Sequence, residues 1–175
     1  MKTSTITRSL AVSALAAAAL APAQPAFADL TSPVFLPAGS ACDFNLEWSW
    51  TGTITHTKEF LDENGNKVRL LSAGKGTLNT YTNQGSDPEN PVDGKSVTIR
   101  TDGSVTSTVY NVDGTQTVTA TGHNGLIMFP SDDPAGPTTT HYIGKIVFNV
   151  DPATGVFTLL STSGQKRDIC AELAG

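Results

Sequence analysis

From Asp43 to Thr57 the chain alternates residue by residue. Even positions read Phe44, Leu46, Trp48, Trp50, Gly52, Ile54 and His56, and odd positions read Asp43, Asn45, Glu47, Ser49, Thr51, Thr53, Thr55 and Thr57. Successive side chains of a strand leave opposite faces, so this period of two sets one face on a core and the other in water. A strand this long coils around a barrel or passes between sheets, and Gly52 is where a bend or bulge fits. The rest of the chain keeps the same grammar. Asp62-Glu63-Asn64-Gly65-Asn66 separates 55–61 from 67–71, and Asp102-Gly103 and Asp113-Gly114 separate short runs rich in Val, Thr, Ile and Tyr. Aspartate-glycine between such runs signals a hairpin, because the turn needs residues that tolerate positive φ.

Further strands are expected near 75–83, 96–101, 104–112, 115–121, 125–129, 140–150 and 155–162, the last two joined by Asp151-Pro152-Ala153-Thr154-Gly155. No segment after residue 28 carries a period of 3.6; at most Asp168 to Leu173 forms one helical turn. Short turns between so many strands predict an all-β antiparallel meander. A closed β-barrel is the preferred architecture and a two-sheet β-sandwich the alternative, because successive hairpins set neighbours side by side and a bridge from the first strand to the C-terminal segment helps close the circle.

That bridge is expected between Cys42 and Cys170, the only cysteines, which lack the close CxxC spacing of a metal or redox pair. The compartment follows from the N-terminus. Lys2 and Arg8 precede an apolar run from Leu10 to Ala21 and then Ala26-Phe27-Ala28, the pattern of a secretory signal peptide cut between Ala28 and Asp29. The apolar run is too short for a membrane anchor, no lipoprotein box precedes Cys42, and no apolar sorting tail ends the chain. Residues 1–28 are therefore read as signal and 29–175 as a single secreted, extracellular β domain, monomeric and not inserted in a membrane. Removing Lys2 and Arg8 takes the net charge from −5 to −7, the wrong sign for a nucleic-acid partner or an anionic membrane.

Candidate chemistry is sparse. His56, His123 and His141 match no zinc spacing, so no metal or other cofactor is expected. His56 has the apolar parity of its strand and reads as a core or rim residue, His123 beside Asn124-Gly125 as a turn residue, and His141 as the start of a strand. There is no G-x-S-x-G elbow, and no catalytic residue is assigned. Asp62-x-Asn64-x-Asn66 has Lys67 where a calcium loop needs Gly, and reads as a hairpin turn. The threonine ladders 51/53/55/57 and 115/117/119/121 are accounted for by strand propensity alone. Two proline-braced loops, 84–94 and 130–140, are the natural carriers of binding residues on a rigid scaffold.

The segment Thr121-Gly122-His123-Asn124-Gly125-Leu126-Ile127-Met128-Phe129-Pro130, with Asp133-Pro134-Ala135-Gly136-Pro137 and Asp168-Ile169-Cys170-Ala171, resembles the small secreted proteins of high-GC Gram-positive bacteria that have no assigned function. The resemblance is firmest from about Thr115 onward. It implies extracellular placement and transfers no catalytic or ligand residue. The leading expectation is a non-enzymatic binding domain for an extracellular protein, a cell-surface polymer or a small molecule. Its candidate binding residues are His123, Asn124, Asp132, Asp133 and Tyr142. The alternatives are a secreted hydrolase-type enzyme assembled from separated residues, His123 with Asp132 or Asp133, and an envelope-associated structural protein.

Overall fold

The computed structural model describes residues 33–52, 56–74, 76–92 and 94–175. The expected signal peptide and its cut after Ala28 lie outside them, as do Thr53, Ile54 and Thr55 of the alternating run. Ten strands and one short helix follow in order: β1 Val34–Leu36, β2 Leu46–Thr51, β3 His56–Leu61, β4 Lys67–Ala73, β5 Leu78–Asn83, β6 Ser96–Arg100, β7 Val105–Tyr110, β8 Gln116–Met128, β9 Thr138–Val150, β10 Phe157–Asp168 and α1 Ile169–Ala174.

Four aspartates build the reversals in one way. The carboxylates of Asp62, Asp87, Asp113 and Asp151 accept the backbone N–H two residues on, from Asn64, Glu89, Thr115 and Ala153, each at 2.9 Å. Such a bond replaces a main-chain contact and fixes a turn before any strand pairs. At Asp62 both oxygens are taken, one by the Asn64 and Asn66 N–H groups and the other by the Asn66 amide, which accounts for the hairpin without a cation.

The strands form two antiparallel sheets, ordered β1-β2-β5-β6 and β10-β9-β8-β7-β4-β3. The preferred barrel is thus not what forms: among the described residues β3 and β10 are outer strands with no partner beyond them, and the two-sheet alternative describes the arrangement better. The reason is that the meander is interrupted three times, between β2 and β3, β4 and β5, and β6 and β7, where the chain changes sheet. Gly52, at φ +96°, stands at the first of these crossings, so the long alternating run is split between sheets. His56 consequently begins an outer strand and is exposed instead of lying on a core or rim.

A second departure concerns residues 122–125. The sequence Gly122-His123-Asn124-Gly125 reads as a turn, yet β8 runs straight through it, and β9 starts at Thr138, before His141. Neither His123 nor His141 therefore marks a strand boundary. Gly122, Gly144 and Gly164 stand opposite one another across β8, β9 and β10, with φ of +88°, +145° and +93°. A Cβ on Gly144 would run into the Ser163 carbonyl, so this row is a crease that only glycine permits.

Beyond the crease the far halves of β8 and β9 have a core on each side. One face gives Ile127 to a cluster built on Leu46, Tyr81, Ile99, Ile169 and Leu173, so this core joins the four-stranded sheet and α1. The other gives Leu126, Met128 and Tyr142 to a cluster with Val118, Ala120, Ile146 and Phe148 from the near halves of the same strands. The long hairpin is thus folded over its own side chains. Residues 129–137 complete the fold-back, because the Asp133 N–H donates to the Phe157 carbonyl (2.9 Å) and the Leu159 N–H to the Asp133 carbonyl (2.7 Å). The disulfide Cys42–Cys170 joins the segment before β2 to α1, with Cα atoms 5.5 Å apart.

Candidate functional site

The five residues singled out in the sequence are dispersed by this fold. Asp132 is buried, and its two oxygens accept the backbone N–H groups of Phe129 (2.6 Å) and Phe157 (2.8 Å). It clips the 129–137 loop to β10. Asp133 takes part through its backbone and leaves its side chain exposed. Tyr142 is buried in the second core, and burial pushes its hydroxyl pKa up. As candidate binding residues, Asp132 and Tyr142 are thus corrected: both are buried and hold the fold, so neither is presented to a partner. The loop does fold back, but onto the row Gln116, Val150 and Phe157, well along the strands from the row His123, Ile143 and Gln165. Both Asp132 oxygens are already engaged there. No described group of three or more His, Cys, Asp or Glu side chains is placed to hold a metal.

His123 instead lies beside His141, ring centroids 5.4 Å apart. His141 is 2% exposed and neither ring nitrogen finds a hydrogen-bond partner. Burial lowers its pKa below the ordinary 6.5, His123 and Arg167 push the same way, and Glu172 opposes them. A histidine whose folded pKa is depressed binds fewer protons folded than unfolded, so its contribution is complete above pH 6.5 and is lost as the pH falls toward the folded value. Denaturant midpoints are expected to drop on acidification from pH 7 to 5, by up to about 1.4 kcal/mol per pH unit for this group. His141→Gln should flatten the profile across that range; an unchanged slope would contradict the assignment.

Asn124 has a different setting. It lines a cleft of about 200 Å³ where the two sheets meet, bordered by Trp48, Asn79 and Tyr81 of the four-stranded sheet and by Ser72 and Thr106 of the other, with Ser104 just before β7. Register explains the first set: Trp48 pairs with Tyr81 and Trp50 with Asn79, so these side chains share the inner face of β2 and β5. They are locked together. The Trp48 indole N–H donates to the Asn79 carbonyl oxygen (3.0 Å), and the Asn79 amide donates to the Thr77 hydroxyl (2.8 Å). The Trp48 and Tyr81 rings lie nearly parallel, centroids 6.3 Å apart.

Two polar groups on the residues that line this cleft stand apart from the hydrogen bonds above. The Asn124 amide nitrogen is buried without a protein partner, a state that native structures seldom leave unexplained. The Tyr81 hydroxyl stands 2.5 Å from where a Cβ on Gly125 would sit, and burial pushes its pKa up to about 12. It is therefore a neutral donor across the physiological range. Tyr81, Asn79 and Thr77 did not stand out in the sequence. The available signal was the strand Leu78-Asn79-Thr80-Tyr81-Thr82-Asn83, whose inward parity is polar and aromatic where a plain core strand would be aliphatic.

The arrangement can hold a small molecule by hydrogen bonds against an aromatic wall, and it presents no paired acid and base or activated nucleophile among the described residues. Comparison with protein-family models, with curated proteins and with solved structures finds no match for this chain, so the case for its function rests on this geometry.

Proposed function

We propose that the protein is a non-enzymatic, secreted binding domain that takes a small extracellular ligand in the cleft between its two sheets. The observation that carries this reading is the concave cleft itself, bordered by Trp48 and Tyr81 on one side and by Ser72 and Thr106 on the other, since concave sites with a few convergent polar groups are the usual form of small-molecule sites. The Cys42–Cys170 bridge supports placement in an oxidising compartment, in keeping with the secretory signal expected over residues 1–28.

The test uses a variant that fills the cleft. Gly125 is exposed, and a Cβ there meets the Tyr81 hydroxyl at 2.5 Å. In a panel of polar small molecules, one that binds should raise the melting temperature of the native protein by roughly 5 to 10 °C at a hundredfold excess over its Kd. Gly125→Ala should remove most of that increment, measured against its own unliganded melting temperature. An increment fully retained in Gly125→Ala, or no increment from any molecule of the panel, would rule the cleft out.

A further inference from the structure

We infer that the outer face of the six-stranded sheet docks a linear acidic polysaccharide whose uronates are separated by neutral sugars. This face is turned away from Ser72 and Thr106 of the cleft, so the inference does not depend on the small-ligand reading. Cross-strand register builds it. One row, Lys58, Leu71, Ser107, Thr119 and Val147, runs from β3 to β9. The row beside it starts with Phe60 and Arg69, and the row on its other side ends on Lys145. None of the positions in these three rows is Asp or Glu, and none is buried. The described ion pairs belong to Lys67, Arg100 and Arg167, so Lys58, Arg69 and Lys145 have no counter-charge among the described residues. The turn acids Asp62, Asp113 and Asp151, at the Phe60 end of the strands, accept N–H groups of their own turns.

Two of the three cations share one ring. The Lys58 ammonium lies 4.9 Å and the Arg69 guanidinium 5.5 Å from the Phe60 centroid, so they are within about 10 Å of each other, a Debye length at 0.1 M salt. Like charges held this close favour an anion that both can face. Arg69 is also oriented, because its Nε donates to the Ser107 hydroxyl (2.9 Å) and leaves the terminal nitrogens for an outside acceptor. Edge protection accounts for Lys58 at most, since Arg69 and Lys145 stand on the inner strands β4 and β9. From β4 to β9 is three strand spacings, roughly 14 Å, and β7 and β8 between them present hydroxyls and methyls on this face. A polymer with an anion at every unit would lay charges over those uncharged strands, on a chain whose net charge is already −5. One that alternates acidic with neutral sugars sets carboxylates against the two cationic ends and hydroxyls over Ser107 and Thr119.

The experiment is calorimetry of the bridged protein at near-physiological salt. Its probes are hyaluronan and unsulfated chondroitin, which alternate glucuronate with an N-acetylated sugar, set against dextran, polyglutamate and polyphosphate. At least one of the two acidic polysaccharides should bind saturably and more tightly than the three comparison polymers. Lys58→Gln, Arg69→Gln and Lys145→Gln should each weaken that binding roughly 2- to 5-fold, the effect of one exposed ion pair. Lys166→Gln removes the same charge from β10 beyond the crease, and Gly125→Ala fills the cleft; both should leave it unchanged. An equal loss in Lys166→Gln would reduce the attraction to overall charge, and a loss in Gly125→Ala alone would move the polymer to the cleft; either result would overturn the proposal. So would the absence of binding by both polysaccharides, or binding of dextran as tight as theirs. Tighter binding of polyglutamate or polyphosphate that responds to the three face variants would overturn the polysaccharide assignment. None of these outcomes bears on the small-ligand reading, which the melting increments test separately.

Discussion

Replacing Cys42 and Cys170 together by serine is expected to lower stability by about 5 kcal/mol, the chain-entropy value for so long a loop and an upper guide. The bridge spans 128 positions and so restricts nearly the whole unfolded domain. It also has a local duty. α1 is only six residues long, far short of what holds a helix in isolation, and its Ile169 and Leu173 are buried in the first core. The Asp168 side chain caps it by accepting the Ala171 N–H, and Arg167 pairs with Glu172 on the surface, but neither contact replaces the covalent tie. Ordinary domains have only about 5–15 kcal/mol in total, so the double variant should be close to unfolded at moderate denaturant. A urea midpoint equal to that of the bridged protein would contradict this account of the closure.

Asp132→Ala should have the next largest effect, a loss of about 3 kcal/mol. Hydrogen bonds to a charged group are worth roughly 1.5–3 kcal/mol each, and this carboxylate accepts two from main-chain N–H groups. Its removal would leave the 129–137 loop held to β10 only by the two Asp133 backbone bonds and loosen one side of the second core, where Phe157 packs. Asp133→Ala is the matched control: its side chain is exposed and its role is carried by the backbone, so the change should stay within about 0.5 kcal/mol. Equal and small shifts for both variants, read from denaturant midpoints, would mean that the loop is not held by the Asp132 clip.

These two adjacent aspartates show where sequence reasoning stops. Asp132 and Asp133 are chemically identical in the sequence and were named together as binding candidates, because burial is a property of the fold-back and the fold-back depends on a crease made by Gly122, Gly144 and Gly164. What local chemistry determines was legible. The Asp-Gly turns, the β2 strand with Leu46 fully buried, and the Cys42–Cys170 pairing all follow from neighbours or from the only available partner. What depends on register was not. Gly122 reads locally as part of a turn and becomes a crease only because Gly144 and Gly164 stand opposite it, an alignment visible only once β8, β9 and β10 are paired. The same holds for the cleft. Asn124 was named as a binding candidate on loop grounds and reaches the cleft from mid-strand, while Trp48 was read only as core and Tyr81 went unremarked.

The most direct measurement of the central claim is an amide shift map of the isotopically labelled, bridged protein as a bound small molecule is titrated in. The account predicts saturable shifts concentrated at Ser72–Ala73, Gly76–Thr77, Ser104–Thr106 and Asn124–Gly125, the backbone that frames the cleft on both sheets, with the 129–137 loop unaffected. Shifts confined to that loop, or to one sheet alone, would contradict it.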